Sequence, residues 1–266
     1  MGNCIMETFQ KDKLIIKKFA SRKAMGQTAA AEVSTAIREL FKTKSQIRMI
    51  FAAAPSQNEF LEALSTNRTV EFNRIIAFHM DEYTGLPADA PQGFGNFLKA
   101  RLFEKCPFKE VHYLDSQAKD TEKECFRYAE LLNREPIDIV CMGIGENTHI
   151  AFNDPGEADF KDPKTVKLVP LDLVCRQQQV NDGCFKQIIE VPKFAFTLTV
   201  PALFSCGHIF CIVPAKNKAE AVYNSLSMDI SDKYPASILR NHTKAIMYVD
   251  ADSGTRLGEI PGLMTV

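Results

Sequence analysis

Apolar β-branched runs that alternate with amphipathic segments of ten or more residues predict an α/β fold. The expected architecture is a mostly parallel sheet covered by helices on both faces, open in the Rossmann-like manner. The runs at residues 47–53, 74–78 and 137–141 are nearly continuous rather than alternating, as in strands buried on both faces. No internal repeat, low-complexity tract or Gly/Ser linker interrupts the 266 residues, so one domain over residues 1–266 is expected.

The elements follow in order. Leu14, Ile15 and Ile16 predict a strand, and the Ala-rich residues 25–41, with Val33, Ile37 and Leu40 in phase, predict a helix. A strand at residues 47–53 leads to a helix over residues 57–64, where Ser56 and Glu59 have capping-box spacing. Residues 74–78 predict a strand, 94–102 and 122–132 helices, and Ile137 opens the next strand. Residues 196–200 and 209–213 read as strands, 219–226 as a helix and 245–249 as a final strand. Residues 194–215 lack Asp, Glu, Lys and Arg, but Pro201, Gly207 and His208 interrupt them. Two buried strands joined by a turn are expected there, not a membrane span. Residues 154–167, with Pro155, Gly156 and Pro163 among several charges, are expected to form a mobile lid, at its widest residues 154–185.

Composition narrows the function. Apolar residues make up 45% and charged residues 24%, as in ordinary soluble proteins. A formal net charge of -1 argues against nucleic acid or an anionic membrane as the main partner. A small anionic substrate needs only two or three local cations and stays open. The 8 cysteines form no CxxC pair and read as reduced thiols of a cytoplasmic protein. The amino terminus lacks the apolar core of a secretory signal, and Met6 stands where an acylation motif needs Ser or Thr. His79, His112, His149, His208 and His242 show no HxxxH spacing, so no metal is expected. Gly143-Ile144-Gly145 is followed by Thr148 where a dinucleotide fingerprint has its third glycine, so no such cofactor is expected either. Nothing marks a subunit interface, which leaves homo-oligomerisation open.

Three strand ends carry chemistry. After the strand at residues 47–53, Ser56 opens a helix whose free N–H groups suit a phosphate, although a plain cap accounts for the same residues. After residues 74–78 come Asp81, Glu82 and Tyr83, costly to bury without purpose, with Asp81 a candidate base and Glu82 a second cleft carboxylate. A solvated Asp-Glu turn closed by Gly85 and Pro87 competes with that reading. After residues 137–141 come Gly143, Gly145, Asn147, His149 and Asp154: glycine for close ligand approach, imidazole to move a proton, a carboxylate to orient it. The bland alternative is a glycine turn with an incidental histidine. Strand ends in a parallel α/β sheet converge on one crevice, so the three signals reinforce one another. Arg176 and Lys218 would complete a phosphate clamp, though either alone reads as a surface cation.

From about residue 47 to residue 249 the chain resembles the glucosamine-6-phosphate deaminase (isomerase) family, related in fold to 6-phosphogluconolactonases. Phe78-His79-Met80-Asp81-Glu82-Tyr83-Thr84-Gly85-Leu86-Pro87 and residues 143–155 carry the resemblance, and the first block favours the deaminase branch. The resemblance implies that Asp81 moves a proton between C2 and C1 of the open-chain sugar and that His149 opens the ring. Asp154 stands where the family usually has Glu, orienting that histidine. Ser56, Arg176 and Lys218 stand at phosphate-binding positions, with Glu82 and Gly145 beside the substrate. The implied reaction is aldose–ketose isomerisation of an amino sugar with loss of ammonia, without metal or organic cofactor.

This sequence departs from the family pattern at several positions. Ala53-Ala54-Pro55-Ser56 replaces a Thr-Gly-Gly-Thr-like loop, Asn147 and Thr148 replace a common Asp and Gly, and Asp154 is one methylene short of Glu. An Asn at 147 still accepts a hydrogen bond from imidazole but stabilises no imidazolium by charge. These changes keep two alternatives in view: a sugar-phosphate sensor without turnover, and a lactonase-like hydrolase with His149 activating water.

Overall fold

The computed structural model describes residues 5–181 and 183–266. Residues 1–4, read above for export and acylation signals, lie outside the described residues, as does residue 182 of the expected lid. In chain order the described elements begin with β1 (Ile5–Lys11), β2 (Leu14–Phe19), α1 (Arg22–Phe41), β3 (Ile47–Phe51) and α2 (Asn58–Ser65). There follow β4 (Ile75–His79), β5 (Asp81–Tyr83), α3 (Phe94–Leu98), β6 (Glu110–His112), α4 (Thr121–Asn133) and β7 (Ile139–Met142). Next come β8 (Val166–Pro170), α5 (Leu173–Asn181), β9 (Phe194–Leu198), α6 (Val200–Phe204) and β10 (His208–Val213). The chain closes with α7 (Ala219–Ser227), β11 (Ala245–Val249) and β12 (Met264–Thr265).

Nine strands form one sheet in the order β12-β1-β2-β11-β10-β7-β3-β4-β6, parallel from β2 to β6 and antiparallel at the β12-β1-β2 edge. Side chains along a strand alternate between faces. In β7, Val140 and Met142 enter one core with α4, α6 and α7, while Ile139 and Cys141 enter a second core with α1, α2 and α3. The predicted two-faced α/β architecture is therefore the one observed. No helix among the described residues is long and apolar enough to cross a membrane.

The strand order positions the site. From β3 the chain continues to β4 and β6 on one side, and from β7 to β10 and β11 on the other. The order reverses between β3 and β7, and ligands bind outside the carboxyl ends of strands at such a switch point.

Several local expectations are corrected. A second sheet, β5-β9-β8, is antiparallel and was not foreseen. Residues 194–215 do not form two strands joined by a turn: β9 belongs to the small sheet, β10 to the large one, and α6 lies between them. The polar run around Arg176 is helical, as α5, and the widest form of the expected lid also contains β8. The capping box is absent. Residues Pro55–Gln57 make a single 3-10 turn, Ser56 Oγ instead accepts from Gln57 Nε2 (3.1 Å), and Glu59 binds Arg22.

That last contact depends on a close helix crossing. A Cβ on Gly26 of α1 would lie 2.7 Å from Glu59 Cβ and 2.8 Å from the α2 backbone. Only glycine brings α1 near enough for Arg22 Nε and Nη2 to hold both Glu59 oxygens at 2.9 and 2.8 Å. Gly26→Ala is expected to cost about 1–3 kcal/mol through overpacking, read as a lower denaturation midpoint at unchanged slope.

Candidate active site

At the switch point Ala52–Gln57 follow β3, and Gly143, Gly145 and His149 follow β7. They line one cleft with Asp81 of β5, Lys218 at the start of α7, and Arg22. Ser56, Asp81, Gly145, His149 and Lys218, all singled out in the sequence, thus share a single cleft.

Asp81 sits where the chain leaves the large sheet for the small one. His79 Nε2 accepts from Leu114 N–H (3.0 Å), so Nδ1 carries the proton and donates to the Asp81 carbonyl (2.8 Å). Burial pushes His79 down to about 4, which keeps the ring neutral and this tautomer fixed. Burial, and then the charge of Glu82, holds the Asp81 carboxyl well above the usual carboxylate range.

Glu82 points elsewhere. Its Oε1 accepts from Tyr83 N (2.9 Å) and Phe94 N (3.0 Å), and its Oε2 from Gly95 N (2.8 Å). It is absent from the cleft wall and ties β5 to the start of α3. Burial pushes this carboxyl up to about 7 against those three amide donors.

The loop after β7 wraps onto β9. Phe152 N donates to Thr197 Oγ1 (3.0 Å), and Asn153 Nδ2 donates to Ile150 O and Leu198 O (both 2.8 Å). A Cβ on Gly145 would lie 2.2–2.3 Å from the His149 ring atoms, so the imidazole stacks directly on the glycine backbone. His149 Nδ1 lies 2.8 Å from Asp154 Oδ1, an ion-pair distance. Burial pushes Asp154 up, but His149, Asn147 and Cys175 outweigh it and hold the carboxyl below its ordinary value. Asn147 does not meet the imidazole. Its Nδ2 donates to Asp154 Oδ1 (2.8 Å) while its Oδ1 accepts the His149 backbone N–H (3.1 Å).

The rim beyond β10 is fixed from below. Asp250 accepts from Ala215 N (3.0 and 3.2 Å) and Ser253 N (2.8 Å), which holds Ala215 at φ +83 ahead of Lys218. Asn217 Nδ2 reaches Glu146 Oε1 (2.8 Å) and joins this rim to the β7 loop. Arg176 is not brought to the cleft: its Nη2 donates to Ile188 O (2.6 Å) and Val191 O (3.0 Å). Arg22, Gln178 and Gln179 line the cleft instead. An arginine starting an amphipathic helix and two glutamines in a polar run carry no sequence signal of this kind.

An aspartate and a histidine thus meet at the switch point of an open α/β sheet, with a lysine and an arginine on the rim, the layout of an α/β protein with a small-molecule cleft. The chain belongs to the family described as glucosamine-6-phosphate isomerases/6-phosphogluconolactonase, whose model matches residues 20–248. It is 31% identical over 215 residues to a glucosamine-6-phosphate deaminase of Listeria monocytogenes, covering 81% of this chain and 90% of that one. To a Bacillus cereus glucosamine-6-phosphate deaminase it is 29% identical over 217 residues, 82% and 80% of the two chains. A solved monomeric glucosamine-6-phosphate deaminase superposes with a TM-score of 0.83 at 28% identity, over 90% of this chain and 98% of that one. The 6-phosphogluconolactonase of Thermotoga maritima superposes at 0.74 with 20% identity, over 90% and 100%, a likeness of fold.

At Thr148 the departure from the family's glycine carries a conformational cost. The residue lies at φ +71, a conformation a β-branched side chain resists, and its buried Oγ1 has no hydrogen-bond partner. Thr148→Gly removes both penalties and is expected to stabilise the fold by about 1 kcal/mol net of glycine's chain entropy, measured as a raised melting temperature.

Proposed function

We propose that this protein is a hexosamine-6-phosphate deaminase/isomerase that converts glucosamine 6-phosphate and water to fructose 6-phosphate and ammonia. The observation that carries this reading is the convergence of Ser56, Asp81, His149 and Lys218 on one cleft from four separate parts of the chain. In the proposed mechanism His149 shuttles a proton between the ring oxygen and O1 to open the pyranose, with Asp154 fixing its orientation. Asp81 then takes the C2 proton and returns it to C1, which turns the C2 amine into an imine. Water adds at C2 and ammonia leaves, so the net reaction consumes one water. A base raised by burial matches a carbon acid better than an ordinary carboxylate does.

Lys218 and Ser56 hold the phosphate in this scheme, and Arg22 takes the part that the resemblance assigned to Arg176. Glu59 fixes the Arg22 fork beside the Ala53-Ala54-Pro55 turn, where the glycine loop of relatives is missing. Arg22→Ala is expected to raise KM roughly 10- to 100-fold with kcat little changed, the loss of one charge-assisted contact, read from initial rates across substrate concentration.

Parallel release of ammonia and fructose 6-phosphate is the primary assay. Equal yields from the wild type, with turnover lost and sugar-phosphate binding kept in Asp81→Asn, are the expected result. An active Asp81→Asn enzyme overturns the role given to Asp81. Binding without turnover across hexosamine phosphates favours the sensor, and hydrolysis of a phosphosugar lactone favours the hydrolase.

The pH profile tests the same base. Asp81 must be ionised to act, and its carboxyl is raised, so activity is lost as pH falls through a limb above the ordinary carboxylate value of about 4. Glu82→Gln removes the neighbouring charge and is expected to move that limb to lower pH. A fixed limb in kcat/KM would show that the two carboxylates are not coupled.

A further inference from the structure

Cys175 of α5 enters no step of the proposed mechanism, yet its thiol lies against the carboxylate that orients His149. His149, Asp154 and Cys175 each offer one ligating atom, and the imidazole nitrogen, carboxylate oxygen and sulfur all lie within 4.8 Å of one another. All three side chains are at least nine-tenths buried, at 7%, 2% and 1% exposure. His149 Nδ1 (2.8 Å) and the Cys175 thiol both lie against the Asp154 carboxylate, so the three donor groups face one another.

We propose that His149, Asp154 and Cys175 form a binding site for a borderline-soft divalent cation of the zinc type, and that its occupancy switches the proton shuttle off. A mixed nitrogen, oxygen and sulfur donor set suits zinc, whereas magnesium and calcium require oxygen ligands. Zinc bonds of about 2.0–2.3 Å space tetrahedral ligands about 3.3–3.8 Å apart, so atoms that now lie within 4.8 Å of one another need only shift by about 1.5 Å or less. Three protein ligands leave the fourth position to water. Asn147 stays on Asp154 Oδ1 and keeps that carboxylate turned toward the ion. The metal bonds to the thiolate and the thiol proton leaves to solvent. Affinity should therefore rise with pH, because the ion displaces the thiol proton. An imidazole held on a metal cannot rotate to exchange protons with a sugar, and inhibition follows. The site goes beyond the proposed activity and holds whichever phosphosugar is turned over.

Titration of the full-length reduced protein with cobalt(II) chloride tests the site without reference to activity. The expected result is a near-ultraviolet thiolate-to-cobalt charge-transfer band that saturates at one equivalent and is displaced by zinc chloride. The band should be lost in Cys175→Ser and kept in Cys184→Ser. No band in the wild type, or a band surviving in Cys175→Ser, overturns the proposal. If Cys175→Ser fails to fold by circular dichroism, His149→Gln decides. It keeps the thiol but loses a ligand, and cobalt affinity should fall at least about tenfold; an unchanged affinity overturns the site. In the ammonia-release assay, zinc chloride is expected to inhibit the wild type more strongly at higher pH. A cobalt band in a protein that turns over no phosphosugar would sink the deaminase reading alone, and turnover without a band would sink the metal site alone.

Discussion

Leu114 N–H, by donating to His79 Nε2, decides which way the chemistry of the cleft faces. That bond leaves the ring proton on Nδ1, and Nδ1 then grips the Asp81 carbonyl. Tyr128 braces the same residue, its hydroxyl accepting from His79 N (3.0 Å) and donating to His79 O (2.9 Å). The crossover between the two sheets is thereby fixed in a dry interior, where a neutral imidazole costs less than a charged one. Consecutive strand residues face opposite ways, so once Asp81 is turned to the cleft its neighbour Glu82 must turn from it. Glu82 then collects its neighbour's amide, Tyr83 N, and the two amides that begin the next helix, Phe94 N and Gly95 N. Two adjacent carboxylates thus acquire different duties from one backbone constraint.

The parts legible in the sequence are those buried on both faces. β3, β4, β7, β10 and β11 read as apolar runs because helices cover both sides of them. β5 could not be read, because Asp-Glu-Tyr has neither β-branched residues nor an alternating pattern, and its ladder forms only with β9 far along the chain. β6, with Glu110 half exposed, is an edge strand with equally little signal. The loop after β7 was legible as a loop because two glycines end the apolar run, with a histidine and a carboxylate close behind. Its internal wiring was not: whether Asn147 meets the imidazole or the carboxylate is a matter of rotamers. Ser56 and Glu59 had the right spacing for a cap, but tertiary contact with Arg22 took the glutamate away.

The rim of the cleft replaces one solution by another. A glycine-rich turn offers backbone N–H groups to an anion, and Ala53-Ala54-Pro55 offers fewer, since proline has no N–H. Arg22, brought in by the Gly26 crossing, adds a charged fork at that place. Left-handed conformations at Ala151 and Ala215 border the same cleft, and a third, at Thr148, lies in the loop behind it. Local strain is concentrated where the loops meet, and the sheet beneath is regular enough to hold it.

The strand order also sets a timetable for synthesis. The β1–β2 hairpin emerges first, yet its neighbour in the large sheet is β11, paired through Ile15 and Ile246. Residues 245–249 must therefore be translated before the hairpin can dock, whereas β3 and β4 pair as soon as both are made. Until residues 245–249 are made one edge of β2 is open, and open edges recruit other strands. The hairpin is thus the first part of the large sheet to be made and among the last to be seated.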